Sequence, residues 1–150
     1  MCGRFRIGDS DIFPGMEVPI IGSNGNFRLR WGITGWSKPI INARVETINS
    51  KPMFKDLLED GRYLIEANGF YEWPYYFYLK TKKLFYLAVL GNKTNFVVVT
   101  TKANEAVEPI HPRMPVIFKI GNENSWLGDG YQKAPDTMSG ALEFQNKLIS

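Results

Sequence analysis

The chain has one cysteine and one histidine in 150 residues, and both scarcities exclude chemistry. A single thiol rules out an internal disulfide framework and any cysteine-rich zinc site. A single imidazole removes most other transition-metal arrangements, so no metal or other cofactor is expected. The same scarcity points to a reducing compartment. No uncharged run is long enough to span a bilayer, and residues 1–30 carry Arg4, Arg6, Asp9, Asp11 and Glu17 in place of a long apolar stretch. The expectation is a soluble, unsecreted, cytoplasmic protein with no membrane partner. Internal repeats, low-complexity tracts and a βαβα rhythm are missing as well, which argues against solenoids and doubly wound sheets.

What is present suits one compact domain over 1–150, because 44% of the residues are hydrophobic and 14% aromatic. Strand-like runs rich in β-branched and aromatic residues occur at 27–33, 62–66, 75–80, 84–90, 95–101 and 115–118. Short connections between the runs at 75–80, 84–90 and 95–101 predict antiparallel neighbours. The stretch "SKPMFKDLLED" at 50–60 reads as a helix, with Ser50 as N-cap, Pro52 in the first turn, Gly61 as the stop and Met53, Leu57 and Leu58 as its buried stripe. Shorter helices are expected at 103–107 and 122–127. After Gly130 the periodicity is poor. The class that results is α+β: β-rich, mainly antiparallel, with a few short helices.

Net charge is +3, from 18 Lys plus Arg against 15 acids, a weak preference for an anionic partner. Arginines recur in Gly- and Pro-bounded segments: Arg4 near Cys2, Arg44 in "INARVET" and Arg113 in "IHPRMPV". Their planar forks suit phosphate oxygens, although solvated surface arginines would look the same.

Four other residues stand in settings that suit chemistry. Cys2 lies where chain ends usually fray, which argues against core burial. Removal of Met1 would leave it with a free α-amine beside its thiol. Asn42 follows the apolar "KPII", so its amide needs partners within the fold or from a ligand. Glu72 lies in "GFYEW" among Phe70, Tyr71 and Trp73, where desolvation would suit its carboxyl to proton transfer; a strand glutamate facing water is the rival reading. His111 is flanked by prolines that restrain its direction, unless it is an ordinary surface histidine. Together an aminothiol, an amide, a carboxyl and an imidazole suffice for nucleophilic attack on a carbonyl.

The order and wording of six segments resemble the SOS response-associated peptidase (SRAP) family, whose human member shields abasic sites in DNA. They are "MCGRF" at 1–5, "WGITGWSKPIINARVET" at 31–47, "KPMF" at 51–54, "ANGFYEW" at 67–73, "VVTTKAN" at 98–104 and "IHPRMPVI" at 110–117. The resemblance implies a SRAP-like fold and a monomer whose partner is single-stranded DNA containing abasic sites. It implies catalytic roles for Cys2, Asn42, Glu72 and His111, and DNA contacts for Arg4, Trp36, Arg44, Thr100 and Arg113. The implied chemistry is a thiazolidine formed by the N-terminal cysteine on the C1′ aldehyde of the opened sugar, with Glu72 shuttling protons, Asn42 orienting the terminus or the sugar, and His111 assisting sugar opening. The family name further implies that Met1 is removed autocatalytically. Shortened loops, a missing insertion after "GFYEW" and a faint C-terminal pattern mark a compact member. Two other readings keep their place at this level: an N-terminal-nucleophile cysteine amidohydrolase, which also opens "MCG", and a non-covalent single-strand-binding module.

Overall fold

The computed structural model describes residues 2–35, 37–132 and 143–149. In chain order the elements are β1 (Phe5–Ile7), β2 (Ser10–Ile12), β3 (Glu17–Gly22), β4 (Gly25–Trp31), β5 (Asn42–Arg44) and the one-turn helix α1 (Pro52–Lys55). There follow β6 (Arg62–Ala67), β7 (Gly69–Glu72), β8 (Tyr75–Leu79), β9 (Phe85–Gly91) and β10 (Asn95–Lys102). The chain continues with β11 (Arg113–Pro115), β12 (Ile117–Lys119), α2 (Asn124–Leu127) and β13 (Phe144–Leu148). The α+β, mainly antiparallel class expected from sequence is the one observed. Among the described pairings only those of β10 with β4 and β5 are parallel.

Two sheets form. The smaller runs β13-β8-β7-β1-β2. The larger one returns on itself, because β10 pairs with β9 at one edge and with β4 at the other, closing a ring through β3 and β6. The period-2 geometry of strands then explains the long apolar runs. Phe85, Leu87 and Val89 of β9 point into one cluster, with Leu29, Trp31, Phe96 and Val98 of the ring and Phe5, Phe70 and Phe77 of the smaller sheet. Tyr86, Ala88 and Leu90 point the other way, to a second cluster with Val97, Val99, Phe54, Leu58 and Trp126. A strand buried on both faces cannot alternate polar with apolar residues, and β9 is buried along its whole length.

Three expectations are corrected. The run at 75–80 does not pair with that at 84–90: β8 turns back on β7 through Trp73 and Pro74, and the chain then crosses to the other sheet, where β9 pairs with β6 and β10. The helix at 50–60 is one turn long. Its N-cap is Lys51, not Ser50, Met53 is exposed, and the N–H groups of Leu57 and Leu58 donate three residues back, to the carbonyl oxygens of Phe54 and Lys55. That winding turns Phe54 and Leu58 inward together, while Gly61 ends the segment against Gly91. At 103–107 the Asn104 side chain accepts the N–H groups of Ala106 and Val107, and this local bonding replaces helix with turn. The expected helix at 122–127 forms as α2, with Trp126 buried. No helix among the described residues is long and apolar enough to cross a membrane.

At Gly69 the ring of Tyr76 lies across the backbone. A Cβ there would stand 2.3 Å from the Tyr76 hydroxyl and 2.5 Å from the Phe77 carbonyl oxygen. Gly69→Ala should therefore destabilise the fold by about 1–3 kcal/mol, the usual cost of overpacking. Gly130→Ala, whose Cβ would meet nothing within 4 Å, is the control. Equal melting temperatures for the two variants would contradict this packing.

Candidate functional site

Two sheets bring four distant residues to one place. Cys2 enters ahead of β1, Glu72 ends β7, Asn42 opens β5 and His111 precedes β11. The Asn42 Nδ2 donates to the Cys2 carbonyl at 3.0 Å, which ties the chain start to the edge of β10. The Asn42 Oδ1 is buried and accepts no hydrogen bond, so one acceptor of the amide is left unused. The Glu72 Oε2 lies 3.9 Å from Nδ1 of His111. Nδ1 also receives the Arg113 peptide N–H at 3.0 Å. The Arg113 carbonyl oxygen lies 3.2 Å from the same nitrogen, so Nδ1 has a backbone partner in either tautomer.

The expected exposure of Cys2 is corrected. The residue is 0% exposed and belongs to the cluster of Phe5, Trp31 and Phe70. The Asn42 bond and the pairing of β1 hold this end of the chain down, so it does not fray. Burial pushes the thiol up to about 12, and the Glu72 charge adds to the effect, so the sulfur is held protonated. Glu72 is itself raised by burial, with the His111 charge opposing. Its neighbour in this is not Trp73, which is 77% exposed; along β7 Glu72 faces the same way as Phe70, toward the interior.

A groove of ≈ 560 Å³ opens beside this cluster, lined by Asn42, Arg44, Lys51, Met53, Thr100 and Arg113. Among the described residues no group of His, Cys, Asp and Glu could hold a metal ion.

The family model for SOS response associated peptidase (SRAP) matches residues 8–148. The chain belongs to the SRAP family. Abasic site processing protein YoqW of Bacillus subtilis is 40% identical over 132 residues, which cover 71% of this chain and 59% of that protein. YoaM of the same organism, also named an abasic site processing protein, is 36% identical over 147 residues, covering 81% and 64%. The chain thus spans less than two thirds of the length of these curated relatives. A solved protein of Bordetella bronchiseptica shares the fold with a TM-score of 0.82 at 16% identity, covering 99% of this chain and 100% of that one. One from Bacteroides thetaiotaomicron does so at 0.72 and 20%, covering 100% and 90%. The SRAP match extends well past the last recognisable motif at 110–117, and β13 there completes the smaller sheet by pairing with β8.

The expected DNA contacts of this SRAP chain fall into different environments. Arg44 is exposed and shares its strand face with Asn42. Thr100 is buried beneath Arg113, which donates to its carbonyl oxygen and its hydroxyl. Arg113 is committed to Glu46 through two bonds, at 2.6 and 2.8 Å. Arg4 pairs with Asp11 at 2.7 Å and lies 3.8 Å above the Tyr71 ring, whose hydroxyl also reaches Asp11. Burial raises the Asp11 carboxyl, but the bonds from Arg4 and Tyr71 outweigh it and leave the group below its ordinary value. Trp36 lies outside the described residues. Sequence reasoning missed Glu46, Asp11 and Lys51. The acid two residues after Arg44 in "NARVET" was the only available hint, because its partner is 67 positions away.

The raised Glu72 carboxyl gives a pH test. The folded chain holds that proton more tightly than the unfolded chain, so the contribution to stability is full below the ordinary value of 4.5 and is lost as pH rises through the raised one. Glu72→Gln never ionises and should gain stability relative to the parent over that rise, measured by urea unfolding across pH. A difference that stays constant with pH would remove the burial account.

Proposed function

We propose that this chain reacts covalently with abasic sites in single-stranded DNA, forming a thiazolidine through Cys2 once Met1 has been removed. The observation that carries the reading is the junction of Cys2, Asn42, Glu72 and His111 at the head of a groove with an exposed arginine. The names of the relatives YoqW and YoaM support abasic-site processing as its setting.

The steps follow from the residues. An abasic sugar opens to an aldehyde at C1′. The Cys2 α-amine adds to that carbon, and loss of one water gives an imine; the thiol then adds across C=N, its proton passing to nitrogen as the five-membered ring closes. A thiol held near 12 needs a nearby base at this point. Glu72 is the group whose charge reaches it, and His111 faces Glu72 as the next proton carrier. The open acceptor on Asn42 is suited to an N–H or O–H of the reacting pair. The same residues would serve autocatalytic removal of Met1, the peptidase half of the family name.

An amide nitrogen cannot form the imine, so an uncleavable N-terminal tag should abolish the adduct while the thiol remains present. Intact-mass spectrometry of the untagged protein with abasic oligonucleotide should show the oligonucleotide mass added less one water, and Cys2→Ala should show none. A tagged protein that still gives the water-loss adduct would move the chemistry to another amine.

Arg44 and Lys51 are the exposed cations of the groove, and Arg44 is the one that shares a strand face with Asn42. Arg44→Ala should weaken non-covalent binding of single strands and flatten the slope of log affinity against log salt by about 0.7, one phosphate contact. An unchanged slope would place the strand elsewhere.

A further inference from the structure

Arg113 stands on the wall of the groove with both terminal nitrogens of its guanidinium engaged, while its buried Nε has no hydrogen-bond partner. Nη1 and Nη2 reach the two carboxylate oxygens of Glu46 at 2.6 and 2.8 Å, and Nη2 also donates to the Thr100 carbonyl at 3.0 Å. The Arg113 side chain is 14% exposed and that of Glu46 is 45% exposed, so the carboxylate covers the solvent side of the buried cation. Hydrogen bonds from Arg113 hold the Glu46 carboxyl below its ordinary value against the opposing effect of burial. Two parallel N–H···O bonds from one guanidinium are also the arrangement in which arginine takes a phosphate.

We propose that Glu46 occupies a phosphate seat at Arg113, so that a DNA phosphate engages this arginine only by exchanging with the Glu46 carboxylate. The inference rests on the single-strand reading of the groove given above. Three further features favour it. The peptide N–H of Arg113 is the group that meets His111 Nδ1, so an anion in the seat would lie beside the candidate reaction centre. Glu46 sits on the turn directly after β5, where its side chain can swing to water without disturbing a strand. Exposed Arg44, two residues before it, lines the same groove and can attract the incoming strand first.

The consequence is selectivity by occupancy. A strand bound only through its phosphates meets a groove with one cation already neutralised and is held weakly. A strand that becomes covalently attached does not depend on that contact.

The test uses an intact oligothymidylate, which has no abasic site, and fluorescence anisotropy over a range of KCl concentrations. Glu46→Gln keeps the side-chain length and one acceptor for Arg113, and melting temperature checks its fold; Glu46→Ala is the second variant. Either should tighten binding and steepen the salt slope by about 0.7, the value of one added phosphate contact on a single strand. Arg113→Ala should then lower the slope more in the Glu46→Gln background than in the parent. Weaker binding by both folded Glu46 variants, an unchanged slope, or an equal effect of Arg113→Ala in the two backgrounds would overturn the exchange while leaving the single-strand reading intact. Absence of salt-dependent binding in parent and variants alike would remove both.

Discussion

Strand β10 has two edges and more partners than two edges can hold along one line. Its first half lies between β9 and β4, its second half between β11 and β5. A buried strand cannot leave its N–H and C=O groups unpaired, so each departing neighbour must be replaced. Where β4 leaves, Gly32 N still reaches Phe96 O, and the carbonyl of Ile41 takes over at Val98 N. Where β9 leaves, Val116 bonds to Val99 O and passes its own carbonyl to Ala88 N. These replacements set Asn42 on one edge of β10 and the His111–Arg113 segment on the other. The candidate site is assembled at the point where β10 changes partners.

The smaller sheet supplies the other half. Phe5 packs at 4.9 Å from Trp31, and Phe70 stacks on Phe77 at 5.3 Å, so β1 and β7 reach the mouth of the ring as one unit. Each such buried aromatic contributes about 1.5–3 kcal/mol. That anchoring brings a thiol and a carboxyl into one desolvated space, where burial disfavours either anion. Moving a proton from the thiol to Glu72 exchanges one buried anion for another, a smaller change than creating a lone thiolate there.

Cationic groups follow a different rule. Arg4 and Arg113 are largely covered, Arg4 against the rings of Phe13 and Tyr71 and Arg113 over Thr100, and are balanced by Asp11 and Glu46. An unpaired guanidinium in such a place would be costly, and pairing makes both arginines parts of the scaffold in the free protein. Arg44 and Lys51 keep their charge toward the groove.

The sequence by itself determined the inventory and the long strands. The runs that become β4, β6, β8, β9 and β10 were legible because β-branched and aromatic residues accumulate wherever a strand is buried, and Cys2, Asn42, Glu72 and His111 were legible because their chemistry is unusual for their surroundings. Short strands such as β1, β2 and β5 were not, since three residues carry no period, and the Asn-Gly turn at 24–25 was the overlooked signal for the β3–β4 hairpin. Only the tertiary structure decided that Cys2 is buried, that β8 and β9 part into different sheets, and that Arg4 and Arg113 are already paired. Apart from the Arg4–Asp11 pair, seven positions apart, those outcomes rest on residues far apart in the chain, such as Glu46 and Arg113, 67 positions from one another. Local pattern records which side chains a segment carries. Strand pairing decides which of them meet.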